Sequence, residues 1–156
     1  MQRRPRDRRH PPTPCCVSRL AATYLPWGGI ALDANGRWLA TASYDKTLRV
    51  WDLTTTGQLL ETLRPPLGEG SEGWLYAVAI SPDGQWIATG GWSSPSNHSV
   101  YVFKRAEGVI VNVLHGLPNV VLDLAWSSDG RYLAATLGNG QVSVYRVNNS
   151  FALIGA

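Results

Sequence analysis

Asp33-Ala34-Asn35-Gly36-Arg37-Trp38-Leu39-Ala40-Thr41, Ser81-Pro82-Asp83-Gly84-Gln85-Trp86-Ile87-Ala88-Thr89 and Ser127-Ser128-Asp129-Gly130-Arg131-Tyr132-Leu133-Ala134-Ala135 are three copies of one pattern. A second pattern follows each copy: Leu48-Arg49-Val50-Trp51-Asp52-Leu53, Val100-Tyr101-Val102-Phe103-Lys104 and Val142-Ser143-Val144-Tyr145-Arg146-Val147. Two patterns recurring three times in one order define a repeated structural unit. The middle copy shows what the unit is. Leu75 to Ile80 is a short apolar run rich in strand formers, and Ser81-Pro82-Asp83-Gly84 is a turn. Gln85 to Gly90 returns as a second strand, so the pair reads as a hairpin.

Working outward, Ser93 to Asn97 is a polar loop, Ser99 to Lys104 a third strand and Val109 to His115 a fourth. The first unit places strands near 29–32, 38–43, 47–53 and 58–63, and the third near 120–126, 132–136, 141–147 and 151–154. No segment carries a sustained helical period with caps. Ala77-Val78-Ala79-Ile80 and Leu122-Asp123-Leu124-Ala125-Trp126 are largely apolar on both sides, whereas a sheet with one wet face alternates. Sheets covered on both faces by their neighbours fit that pattern. Ala40, Ala42, Ala88, Gly90, Ala134 and Ala135 in the second strands suit sheets crowded towards an axis.

The 156 residues are 44% hydrophobic and 16% charged, a globular composition rather than a disordered one. Charge is uneven. Residues 1–20 carry Arg3, Arg4, Arg6, Arg8, Arg9 and Arg19 against Asp7, so the net charge of +3 leaves the remainder slightly acidic. Residues 1–16 read as a disordered basic tail. Pro5, Pro11, Pro12 and Pro14 oppose a helix, and the lack of interleaved aromatics counts against nucleic-acid binding. No apolar run reaches signal-peptide or membrane-spanning length. Adjacent Cys15 and Cys16 make neither a disulfide framework nor a zinc site, which favours the cytoplasm.

From Trp27 onward the units resemble WD repeats, the blades of β-propellers. Leu39-Ala40-Thr41-Ala42-Ser43-Tyr44-Asp45-Lys46-Thr47-Leu48-Arg49-Val50-Trp51-Asp52-Leu53 matches best, with Asp45 at the turn between the second and third strands and Trp51-Asp52 closing the third. The other units depart: Phe103-Lys104 and Tyr145-Arg146 replace Trp-Asp, and His115-Gly116 reverses the Gly-His pair. The hydrogen-bonded network of the family therefore does not carry over, and packing must hold these blades. Such degenerate repeats resemble those of large bacterial multidomain proteins. The expected fold is all-β, three four-stranded antiparallel blades at about 27–66, 67–117 and 118–156, a partial or oligomer-completed propeller. Residues 17–26 resemble the end of an outer strand, the remnant of a preceding blade. Propellers close with about four to eight blades. The chain is thus a fragment of a longer propeller, or half of one that a homodimer completes.

No catalytic constellation emerges. His10 lies in the tail, His98 in a loop and His115 near a strand end, without metal-ligand spacing. Gly68-Glu69-Gly70-Ser71-Glu72-Gly73 lacks the lysine of a phosphate-binding loop. Asp33, Asp83 and Asp129 recur at one turn and point to turn chemistry. Trp38, Trp51, Trp86 and Trp126 fall at strand positions suited to packing, whereas Trp27, Trp74 and Trp92 are candidates for exposure. The expected function is a non-catalytic scaffold that binds a protein or peptide, within a larger signalling or regulatory protein, with no cofactor, metal or membrane contact. The resemblance places the binding face on loops that join blades and loops that join second to third strands. Here these are Tyr44, Asp45 and Lys46; Glu69, Glu72, Trp74 and Tyr76; Trp92, Asn97 and His98; and Asn119 and Asn139. Two alternatives stand beside it: a purely architectural propeller fragment, and an enzyme with a site in the central channel.

Overall fold

The computed structural model describes residues 27–155 apart from Thr55, Gly70, Ser71, Ser96, Asn149 and Ser150. The expectations for the basic tail, the two cysteines and the outer-strand remnant lie outside the described residues. Twelve strands and no helix occur among those described. The first sheet contains β1 (Trp27–Leu32), β2 (Trp38–Ser43), β3 (Leu48–Asp52) and β4 (Gln58–Leu63). The second contains β5 (Trp74–Ile80), β6 (Trp86–Trp92), β7 (His98–Lys104) and β8 (Val109–Leu117). The third contains β9 (Val121–Trp126), β10 (Tyr132–Leu137), β11 (Val142–Val147) and β12 (Phe151–Gly155). Each sheet is an antiparallel meander in chain order.

The repeated turn is built alike three times. Ser81 Oγ accepts the Trp86 amide at 2.9 Å and donates to Asp83 Oδ1, which also takes the Gln85 amide at 3.0 Å. Ser127 and Asp129 repeat both roles around Tyr132 and Arg131. In the first unit Asp33 Oδ1 takes the Trp38 amide at 2.7 Å. Asp33 therefore stands where the serines stand, and Asn35 occupies the place of Asp83 and Asp129. The three aspartates share a turn but not a position in it.

The sheets stack in chain order through their first strands. β5 packs on β1 and β2, and β9 packs on β5, β6 and β7. Close approach demands small residues: a Cβ on Gly28 would strike the Leu75 carbonyl oxygen, and one on Gly90 would lie 3.1 Å from Val121 Cβ. Ala40, Ala42, Leu48 and Val50 meet Leu75, Val78, Ile80, Ile87, Tyr101 and Phe103 in one core. Ala77, Ala79, Ala88, Val100 and Val102 meet Val121, Leu124, Leu133, Ala135 and Tyr145 in the other. The middle sheet is thus covered on both faces, and the stack is open rather than closed into a ring.

The Trp-to-Thr bond survives in one blade only. Trp51 Nε1 donates to Thr41 Oγ1 at 3.3 Å, both residues being buried. Phe103, the counterpart of Trp51, has no N–H, and the counterpart hydroxyl of Thr89 donates instead to the Ala77 carbonyl at 2.8 Å. Packing replaces the lost polar link there, since Phe103 is only 2% exposed.

Candidate functional site

The turn between β2 and β3 meets the loop that joins the first two sheets. Ser43 and Thr47 close the turn through the Ser43 amide, 3.1 Å from the Thr47 carbonyl, and Lys46 N donates back to Ser43 O at 3.1 Å. Asp45 fixes it internally. Its Oδ1 accepts the Thr47 amide at 3.0 Å and the Thr47 hydroxyl, while Oδ2 binds Arg49 at 3.1 Å. Burial alone would push the Asp45 carboxyl up; the Thr47 bonds and the Arg49 charge outweigh it and hold it below the ordinary 3.8.

Lys46 adopts a positive φ of 67°, the left-handed region that Gly140 fills with φ 84° at the equivalent turn of the third sheet. A side chain there costs roughly 1–2 kcal/mol. The bonds within the turn hold it there, and outside the turn Lys46 Nζ donates to the Gly68 carbonyl at 2.5 Å. The strained turn is thereby tied to the loop that precedes β5.

Beside it, the seating of β5 on β1 and β2 brings three aromatic rings together. Tyr44 stacks on Trp74 with ring centres 5.3 Å apart and planes 9° apart, and meets Tyr76 edge-on at 5.3 Å. All three rings are half-buried, as are Asp45, Lys46 and Glu72, while Glu69 is exposed. Burial, with the neighbouring Tyr44, pushes the Tyr76 phenol up, so that phenol stays neutral near pH 7. The result is an amphipathic patch across two sheets, apolar in its centre and charged at its rim.

The remaining candidates do not all join it. Trp92 is half-buried and pairs across the ladder with Trp74, and its ring lies 5.4 Å from that of His98 at 69°. His98 corrects the expectation of an exposed loop residue: it opens β7 and is only 3% exposed. Burial depresses its basicity below the ordinary 6.5, opposed by a bond to the Gly91 backbone, and its Nδ1 has no partner among the described residues. Asn97 is exposed, and its Oδ1 takes the Gly116 amide at 2.9 Å. Asn119 bonds the Val120 amide at 2.9 Å, and Asn139 pairs with Gln141 inside its own turn. The asparagines are turn residues by their contacts.

Two arrangements gave no sequence signal. Arg37 and Arg105 both lie over the Trp38 ring, 4.2 and 4.1 Å from its centre, which binds the first sheet to the second at the opposite end of the strands. A cleft of about 270 Å³ opens between β8 and the third sheet, lined by Trp86, Val111, Asn112, Val147 and Phe151. Both join residues from different repeats, so no local pattern announces them. Ser99 Oγ lies 3.1 Å from His115 Nδ1, but Ser99 is 3% exposed and cannot meet a substrate as placed. Among the described residues no His, Cys, Asp or Glu side chains group in threes as metal ligands, and no helix is long and apolar enough to cross a membrane.

Three stacked antiparallel meanders with tight, repeated turns define a propeller-type repeat protein. The family model "WD domain, G-beta repeat" matches residues 27–52, 57–104 and 108–146, and the chain belongs to the WD-repeat family. A "Nuclear distribution protein PAC1" from Arthroderma otae is 30% identical over 118 residues, covering 76% of this chain and 24% of that protein. A protein of the same name from Coccidioides posadasii is 38% identical over 71 residues, 46% of this chain and 14% of that protein. "WD repeat-containing protein SL1-17" of Schistosoma mansoni is 36% identical over 119 residues, 75% of this chain and 36% of that protein. The chain therefore spans about a seventh to a third of the length of these relatives. All three are eukaryotic proteins, so the likeness to bacterial multidomain proteins finds no counterpart among them. WD-repeat proteins are typically protein-interaction scaffolds, generally without catalytic activity, and bind protein partners.

Proposed function

We propose that this chain is a non-catalytic, cytoplasmic interaction module of a larger signalling or regulatory assembly. Its binding surface is the patch of Tyr44, Asp45, Lys46, Glu72, Trp74 and Tyr76, extended by Trp92. The observation that carries the reading is the strained Lys46 turn lashed to the Gly68 carbonyl beneath a stacked Tyr44–Trp74 pair. A left-handed lysine costs stability, and a glycine serves the equivalent turn. Backbone strain of this kind gathers where a surface must hold a set shape. Half-buried tyrosine and tryptophan beside charge are also the composition of interface hot spots. A protein or peptide suits an open patch of this kind better than a small molecule, for which enclosing walls are needed. Asn97, Asn119 and Asn139 are peripheral to it, and His98 supports Trp92 from below rather than touching a partner.

Selection from a displayed random-peptide library tests this. Wild-type protein is expected to enrich a peptide motif, and Tyr44→Ala and Trp74→Ala to lose it about tenfold or more in affinity with their β-sheet spectra unchanged. Arg131→Ala, on an exposed turn at the other end, is expected to leave binding intact. No enrichment, or enrichment indifferent to Tyr44 and Trp74, would sink the proposal and favour the architectural reading.

A further inference from the structure

We propose that the open face of the third sheet is the seat for β1 of a second copy of this chain, so that two chains complete one ring. The argument continues a contact already made twice inside the molecule. In each case the first strand of a sheet packs on the inner strands of the sheet before it: β5 on β1 and β2, then β9 on β5, β6 and β7. The next seat in the series is β9, β10 and β11. The first strand left without such a seat among the described residues is β1.

The seat is legible from the ladder register. In the first sheet the face that receives β5 carries Ala31, Ala40, Ala42, Leu48 and Val50. In the second, the face that receives β9 carries Ala77, Ala79, Ala88, Gly90, Val100 and Val102. The corresponding positions of the third sheet are Asp123, Ala125, Ala134, Thr136, Val142 and Val144. Ala125, Ala134 and Thr136 again place small side chains on the inner strands and Val142 and Val144 branched apolar ones on the next, while the Asp123 carboxylate stands where the second sheet has Ala77. Nothing meets them. Val142 is 47% exposed where its counterpart Val100 is 0% exposed, and Ala125 and Thr136 are exposed as well.

The strand that would enter shows the complementary signature. Register partners place Ile30 opposite Thr41 and Leu32 opposite Leu39, on the face that corresponds to Val78 and Ile80 of β5 and to Leu124 and Trp126 of β9. Those four residues are buried or half-buried against the preceding sheet, whereas Ile30 is 71% and Leu32 56% exposed. One end of the stack therefore presents large apolar side chains and the other a shallow face of small and β-branched ones with the Asp123 carboxylate among them. A head-to-tail contact between such ends either closes a ring or propagates without limit. Two chains supply six sheets, within the range at which propellers close. This contact uses neither the Tyr44–Trp74 patch nor the turns around it, so it stands or falls separately from the binding proposal.

Light scattering coupled to size exclusion on the full chain provides the test, with circular dichroism on each sample. The wild type is expected at twice the chain mass. Ile30→Arg and Thr136→Arg each replace an exposed residue and are expected to run at the monomer mass with the β-sheet spectrum retained. Mixing the two variants leaves one intact strand-and-seat pair between them, so a mixed dimer weaker than the wild type is expected. A wild-type monomer overturns the proposal. So does a dimer that survives Ile30→Arg, because that pairing would not use β1, and so does open-ended growth beyond two copies.

Discussion

The second and third sheets carry alanine and valine at the same inner positions yet live in different surroundings. Ala88 and Val102 are 0% exposed, while their counterparts Ala134 and Val144 are half-buried and Val142 is largely open. The inner strands keep the same cross-strand pairing, Ala79 to Ala88 to Val102 in one sheet and Ala125 to Ala134 to Val144 in the other, so the difference does not come from the register. It comes from what stands next to them: the middle sheet has a neighbour on each side. An apolar residue in this fold thus acquires its energetic weight from position in the stack, not from its local sequence.

The sharpest way to break the comparison is to place a charge at equivalent positions. Val102→Asp puts a carboxylate where no partner can reach it and is expected to cost more than about 4 kcal/mol, or to prevent folding. Val144→Asp is expected to cost within about 1 kcal/mol in the monomer, since water reaches the site. Urea titration of both decides. Equal losses would mean that the third-sheet face is as dry as the second.

A smaller effect separates the first sheet from the second. Thr41→Val leaves the buried Trp51 N–H without its acceptor and is expected to cost about 1–3 kcal/mol. Thr89→Val removes a hydroxyl donor from the Ala77 carbonyl, and about 0.5–1.5 kcal/mol is expected, because Phe103 leaves no N–H to strand. Denaturant midpoints for the pair test whether the Trp51–Thr41 bond still matters in a blade otherwise held by packing.

The pH dependence distinguishes β7 from its relatives. Burial lowers the His98 pKa below 6.5, so the folded protein binds the proton less readily than the unfolded chain. Stability is then fully present above the unfolded value and lost as pH falls through the folded one. Thermal melts from pH 7 to 5 are expected to show that loss in the wild type and a flatter profile in His98→Gln. The smallest change expected is Lys46→Gly, with folding stability within about 1 kcal/mol of wild type because relief of the left-handed lysine offsets the added chain freedom. Peptide affinity should fall while the melt hardly moves, which separates the shape of the turn from its stability.

The sequence makes legible those contacts of the candidate site in which neighbours in the chain are neighbours in space. Asp45 with Thr47 and Arg49 is a local motif, and so is each Asp or Ser that caps a repeated turn. It does not show a residue's environment where that is set by another element. His98 follows a polar loop and looks exposed, yet it starts a strand paired with β8 and is buried beneath Trp92. The stacking of Tyr44 on Trp74 joins residues thirty positions apart, and only the seating of β5 on β1 and β2 brings them together.

By itself the sequence determined the twelve strands, their order and their turns, because runs of strand formers and turn chemistry are short-range and are written three times over. Tertiary structure alone decided which of two equivalent alanines is core and which is surface, and which loop residues share a patch. Those properties depend on the face that a neighbouring sheet covers, and burial is a property of pairs of sheets rather than of any one of them.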